Sequence, residues 1–359
     1  MSGITGNKLK LSIFGESHGP AIGITIDGLP PGAAIDMDKV LAEMDRRKPG
    51  KSLLSTTRKE NDTPEIISGF FNGYTTGAPL TAIIRNSDQR SKVYEDIKNL
   101  MRPGHADYPA FVKYGGFHDY RGGGHFSGRI TAPLVFAGAI AKQILAEKGI
   151  LVGAHVKSIR HIHDKSFQDV EVNQALFDEL KKQELPLIDG EKRTEIEEVI
   201  LQARKDMDSV GGTIECTVVG IPAGIGDPFF NSVESVLAHL IFSVPAVKGI
   251  EFGKGFEMTK LRGSETNDAY YYEGDEVKTH TNNNGGITGG ITNGMPVLFT
   301  VAIKPTSSIA KKQQTINIAE HKNSELVVKG RHDPCIVPRA IPVIEAVTAL
   351  GILDLMFIS

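Results

Sequence analysis

The chain has 359 residues, 40% of them hydrophobic, with 39 glycines, no tryptophan and a formal net charge of -3. That length exceeds a single core of roughly 250–300 residues, so two subdomains or one large layered domain are expected. The small net charge excludes a global field that would recruit nucleic acid or an anionic membrane, so any anion binding has to come from local arginine clusters.

In chain order, an apolar run (Leu9, Leu11, Ile13) predicts a strand, and Ile22-Gly23-Ile24-Thr25-Ile26 predicts a second. Between them lies Gly15-Glu16-Ser17-His18-Gly19. A histidine between glycines in a turn is either a proton donor beside a close-lying ligand or a side chain bonded to its own loop. Gly28-Leu29-Pro30-Pro31-Gly32 then leads into a helix with Met37, Val40, Leu41 and Met44 on one face and Asp36 as cap. Its end, Asp45-Arg46-Arg47-Lys48-Pro49-Gly50-Lys51-Ser52, suits either the helix dipole or an anion cradle joined by Arg58 and Arg85.

Strands are predicted at 64–71 and 80–85. Arg102-Pro103-Gly104-His105-Ala106-Asp107 holds a second glycine-flanked histidine, with Asp107 placed to orient its ring. Asp119-Tyr120-Arg121-Gly122-Gly123-Gly124-His125-Phe126-Ser127-Gly128-Arg129 reads as a phosphate nest, and matches neither dinucleotide nor P-loop fingerprints. A buried helix over 133–148 follows. Residues 151–195 read as a surface insert, with His155, His161 and His163 on a solvated face.

Beyond it come an amphipathic helix over 193–208 and a strand over 213–219. Gly220-Ile221-Pro222-Ala223-Gly224 and a helix carrying Val233, Val236, Leu237, Leu240 and Ile241 then repeat the strand–turn–helix order of the first half. This predicts one domain over 1–359 with pseudo-repeated halves at about 8–150 and 200–350. Paired glycines at 285–286 and 289–290, a strand over 295–303, and Lys304-Pro305-Thr306-Ser307-Ser308 follow. Gly330-Arg331-His332-Asp333-Pro334-Cys335 precedes a buried helix over 340–357 with Pro342 in its first turn. Strands that follow one another without helices between them predict an α/β chain of the α+β type, with antiparallel sheets packed on helices.

The two cysteines, Cys216 and Cys335, form no CxxC pair, and no metal site is expected. No basic segment followed by an apolar run opens the chain, and no apolar stretch reads as a membrane span, so a soluble cytoplasmic protein is expected. Together the polar islands predict a site for a small molecule bearing phosphate and carboxylate, with groups for proton transfer or elimination.

These islands, in this order from about Gly15 to Glu345, resemble the chorismate synthase family. The resemblance implies a β-α-β sandwich assembled as a homotetramer. It implies a trans-1,4-elimination of phosphate from 5-enolpyruvylshikimate 3-phosphate, with reduced FMN as cofactor and NADPH as a candidate reductant. Carried over by motif, His18 protonates the departing phosphate, His105 lies near flavin N1, and Asp333 manages the proton at flavin N5. Arg47, Ser127, Arg129 and Arg331 bind substrate. His125, Phe126, Ser127, Ala246, Gly289, Lys304, Pro305, Thr306, Ser307, Ser308 and Arg331 line the flavin. No nucleic acid or membrane partner is implied. The chain departs from the family pattern at His125-Phe126, where many members have Arg-Ser, and at Leu53, where many have a cation. A flavin-dependent oxidoreductase and a non-catalytic flavin- or phosphate-binding protein of the same fold are the alternatives.

Overall fold

A computed structural model describes residues 3–49, 62–87, 92–328 and 332–359. Two five-stranded antiparallel sheets enclose a layer of helices. The first sheet contains β1 (Ile4–Thr5), β2 (Lys10–Gly15), β3 (Ala21–Asp27), β4 (Pro64–Ser68) and β5 (Leu80–Arg85), in the order β1-β2-β3-β5-β4. The second contains β6 (Leu151–Ile159), β7 (Ile162–His163), β8 (Gly212–Val219), β9 (Val247–Phe252) and β10 (Val297–Ile303), in the order β9-β10-β8-β6-β7. Between the sheets lie α1 (Met37–Arg47), α2 (Thr131–Ala146), α3 (Val233–Phe242) and α4 (Val337–Ile358). Helix α2 packs on β3 and β5, α4 packs on β6 and β8, and the two helices pack on each other.

The chain order β2-β3-α1-β4-β5-α2 recurs as β6-β8-α3-β9-β10-α4, with matching positions in the two sheets. The turns after β3 and β8 share one bonding pattern. Thr75 Oγ1 donates to the Pro30 carbonyl at 2.6 Å and accepts from the Ala33 N–H at 3.0 Å. Thr292 Oγ1 donates to the Pro222 carbonyl at 2.7 Å and accepts from the Ile225 N–H at 2.9 Å. Gly28 and Gly220 have positive φ (95° and 77°), and a Cβ on either would strike a carbonyl in front of the neighbouring strand, that of Lys8 or Gly149.

The expectation of a surface insert over 151–195 fails at its start. Leu151–Ile159 is a central strand, so the second half begins there and not near 200. Its outward face carries Leu151, Gly153, His155 and Lys157 and lies under the 160–211 segment, where Phe167, Phe177 and Leu180 pack with Leu298. His155 is fully buried, with Nδ1 3.1 Å from Asp164 and Nε2 3.1 Å from Glu215. Burial disfavours the His155 cation, but these carboxylates outweigh it and hold its pKa above the ordinary histidine value. His161 and His163 are exposed.

Asp36 caps α1 through the Asp38 and Lys39 N–H groups, but Leu41 on the predicted inner face is exposed. Pro342 sits in the second turn of α4, not its first. That helix and the 128–146 segment are long and apolar enough to cross a membrane, contrary to the expectation from sequence, and both are mostly buried in the protein. Four-fifths burial of α4 is what an all-round apolar helix at the centre of two layers requires.

Candidate functional site

The β2–β3 turn places His18 under the triple-glycine segment. Its side chain is buried, and its ring meets Tyr94 edge-on at 5.2 Å. Gly122 (φ 61°) lies against that ring: a Cβ there would overlap it and come within 2.9 Å of Ser17 Oγ. The Ser17 N–H donates to Gly124 at 3.1 Å, and His125 Nδ1 donates to the Gly15 carbonyl at 2.8 Å. Hence His125 ties its loop to the end of β2 with one ring nitrogen. Phe126 is half exposed with its ring 6.3 Å from Tyr114, and Ser127 Oγ accepts from the Arg129 N–H at the start of the next turn.

Arg47 ends α1 and Arg129 precedes α2, and both guanidiniums bond the same fully buried carboxylate, Asp62. Burial alone would raise the Asp62 pKa, but the two arginines outweigh it and hold the carboxyl below its usual range. Arg129 Nε also donates to Asn86 Oδ1 at 3.0 Å. Asn86 Nδ2 in turn donates to the Glu16 and Gly19 carbonyls, at 3.0 and 2.8 Å, on either side of His18. On the other side, Arg339 Nε donates to the Arg47 carbonyl at 3.2 Å, and Arg339 Nη1 pairs with Asp333.

Asp107 does not orient His105, as the spacing suggested. It forms a two-pronged pair with Arg102, at 2.7 and 2.8 Å, because the turn folds the carboxylate back onto the guanidinium. His105 Nδ1 instead meets the Pro103 carbonyl at 3.1 Å, and Nε2 meets Ser308 Oγ at 2.8 Å. A carbonyl only accepts, so Nδ1 carries the proton and Nε2 accepts from the hydroxyl. Burial first, then the charge on Arg102, lowers the His105 pKa to about 4, so the ring is neutral at pH 7. Lys304 Nζ and Ser307 Oγ both donate to the Gly104 carbonyl, at 2.6 and 3.1 Å, clasping the two loops together. Burial and the neighbouring Lys248 lower the Lys304 pKa. Thr306 Oγ1 is buried with no partner among the described residues, and the Thr306 carbonyl accepts from Ser209 Oγ at 2.7 Å. Pro305 packs on Gly211, and Ala246, at φ 75°, accepts from the Lys304 N–H at 3.0 Å.

Tyr94 joins the two groups, since it touches His18 on one side and Arg102 at 5.7 Å on the other. His18, Arg47, Arg129, His125, Ser127 and Asp333 are thereby linked to His105, Lys304, Ser307 and Ser308. Gly289 is not brought in. It lies beside the start of α3, beyond the Val297 end of β10, whereas Lys304 follows the Ile303 end. Arg331, Lys51, Ser52, Leu53 and Arg58 lie outside the described residues. Sequence reasoning passed over Asp62, Asn86 and Tyr94. Asn61-Asp62-Thr63-Pro64 reads as a turn, and nothing in it signals a buried carboxylate. Cys335 is buried and its thiol is pushed up to about 12, which makes it a packing residue rather than a nucleophile.

A family model described as chorismate synthase matches residues 9–357. Among similar proteins, the chorismate synthase of Pyrococcus abyssi is 47% identical over 351 residues, covering 97% of this chain and 96% of that protein. Those of Dehalococcoides mccartyi and Phocaeicola vulgatus are each 44% identical over 355 residues, covering 99% of this chain and 96% and 97% of theirs. A solved structure titled as a crystal structure of chorismate synthase superposes with a TM-score of 0.77 at 28% identity, covering 98% of this chain and 93% of that one.

Proposed function

This chain belongs to the chorismate synthase family, and from that premise we infer that it carries the family's reaction. Phosphate is eliminated from 5-enolpyruvylshikimate 3-phosphate, with loss of a ring hydrogen, to give chorismate. The enzyme is a lyase of the shikimate pathway and depends on reduced FMN. The observation that carries the reading for this chain is the linkage of His18, Asp333 and two arginines into one bonded cluster beside the His105–Lys304 clasp.

The residues present fit a phosphate-bearing flavin. Thr306 Oγ1 is buried with no partner among the described residues, and the Lys304 ammonium, which gives one bond to the Gly104 carbonyl, keeps further N–H donors suited to an anion. Lys304, Thr306, Ser307 and Ser308 would hold the cofactor, with Pro305, Ala246 and His105 beside it. When bound, reduced FMN supplies electron density that is lent to the substrate and returned. His18 gives a proton to the departing phosphate oxygen, and Gly122 leaves the space that its ring occupies. Arg47, Arg129 and Arg331 hold the anionic groups of the substrate. Asp333, oriented by Arg339, manages the proton of C–H cleavage. His105 keeps its own proton on Nδ1 against Pro103 and acts as a neutral hydrogen-bonding wall. His125 reaches the flavin side only with Nε2, since Nδ1 is engaged, and Phe126 offers an exposed ring.

The same reading places the protein in the cytoplasm as a homotetramer and makes NADPH a candidate reductant of its flavin. Anaerobic binding tests it: FMN fluorescence should be quenched on addition of protein, and the enolpyruvyl substrate should tighten that binding. Lys304→Ala should weaken FMN binding by loss of a charge-assisted contact, about 1.5–3 kcal/mol. A flavin oxidoreductase or flavin carrier would bind FMN with no response to this substrate.

A further inference from the structure

A bonded path runs between the two groups assigned to proton handling. It begins at the Glu16 and Gly19 carbonyls around His18, passes through Asn86 to Arg129, crosses Asp62 to Arg47, and continues from the Arg47 carbonyl through Arg339 to Asp333. Asp62 is the one member that joins two side chains of like charge. Its carboxylate is fully buried, and the side chains of the two arginines it holds are each 4% exposed.

We propose that Asp62 is a positioning residue that fixes the separation of the His18 turn and the Asp333 segment by holding Arg47 and Arg129 on its two oxygens. The proposal rests on the function inferred above. Three elements meet at this carboxylate: the end of α1, the residue pair before β4, and the turn into α2. Without its charge, the two buried guanidiniums lose the carboxylate they share, and the bonds that hold them to it weaken. His18 moves with Arg129 through Asn86, and Asp333 moves with Arg47 through Arg339. Asp62 touches no reacting atom in this scheme. None of these bonds is made by the Lys304–Ser308 loop, which is held separately on the Gly104 carbonyl and His105.

The test compares the parent chain with Asp62→Asn, which keeps shape and removes charge, and with Asn86→Ala, which cuts the path one link nearer His18. Steady-state phosphate release is measured with reduced FMN, and oxidised-FMN affinity is measured separately. Asp62→Asn should lower kcat/KM by about 10²-fold, the cost of a misplacement near 1 Å, with KM raised and FMN affinity unchanged. Should Asp62→Asn fail to fold, Asn86→Ala decides: a loss of about tenfold or more in kcat/KM at unchanged FMN affinity supports the proposal. Parent kinetics in either folded variant overturn it. So does a loss of FMN affinity in step with turnover, which marks a general structural role. No phosphate release by the parent chain would defeat the functional reading instead, and the two failures are distinguishable.

Discussion

The glycine at 122 makes a sharp prediction at the scale of single residues. Gly122→Ala puts a methyl into the His18 ring at a backbone angle that disfavours side chains. Turnover should fall by about 10²-fold, and the urea midpoint should drop by the equivalent of about 1–2 kcal/mol, since alanine is strained at this φ. Parent turnover in that variant would mean that the His18 ring is not held where described. His18→Ala and Asp333→Ala should each cost roughly 10²–10⁴-fold, as removal of a positioned acid or base does. His105 differs, because its pKa is depressed in the fold. Between pH 6.5 and about 4 the unfolded chain takes up a proton that folded His105 refuses, so stability falls as pH falls through that window. His105→Gln should remove that slope from a pH series of urea midpoints. An unchanged slope would assign it to other groups.

Residue types that bear chemistry were legible one by one, but their pairings were not. His18, His105, Asp333 and the arginines stand out because glycine and proline punctuate them. The partners Asp62 and Asn86 come from strand ends distant in sequence, and only the folded sheet brings them to Arg129.

At the scale of elements, Arg47 and Arg129 are both site residues and structural ones. Arg47→Ala leaves Asp62 buried with one partner fewer, so it should cost about 3–5 kcal/mol of stability in addition to substrate affinity. Arg160→Ala, on an exposed turn, should cost neither in urea titrations or substrate binding. Equal effects at the two positions would show that bulk charge governs binding. The β6 strand predicts an opposite pH response to that of His105. His155 gains carboxylate partners on folding, so its stabilisation is fully present below its unfolded pKa and declines as pH rises through its higher folded value. His155→Gln should therefore destabilise the chain most at mildly acid pH, with the gap to the parent closing as pH rises. A gap independent of pH would contradict a cationic His155. Polar residues such as His155 and Lys157 on one side of a strand normally mark a solvated face, which is how a surface insert is expected there. Here the polar face is roofed by Phe167 and Phe177 and satisfied by ion pairs, which leave no trace in periodicity.

Across the whole molecule, the layered antiparallel architecture was legible from strand succession and from the two glycine–proline turns. Those turns close on Thr75 and Thr292, which no local pattern announces. Thr75→Val and Thr292→Val should each cost about 0.5–1.5 kcal/mol per bond lost, since each removes a part-buried bond to a carbonyl and one from an N–H. The proposed site is assembled by turns of the first half against the Lys304 loop and Asp333 of the second, so neither half contains it alone. On the proposed reading, this assembly catalyses an elimination with no net redox change. Mixing the protein anaerobically with reduced FMN and 5-enolpyruvylshikimate 3-phosphate, and counting phosphate, chorismate and flavin electrons together, tests it most directly. One phosphate per chorismate is expected, with the flavin still reduced when substrate is exhausted. Absence of phosphate release, or flavin oxidised in proportion to product, would contradict it.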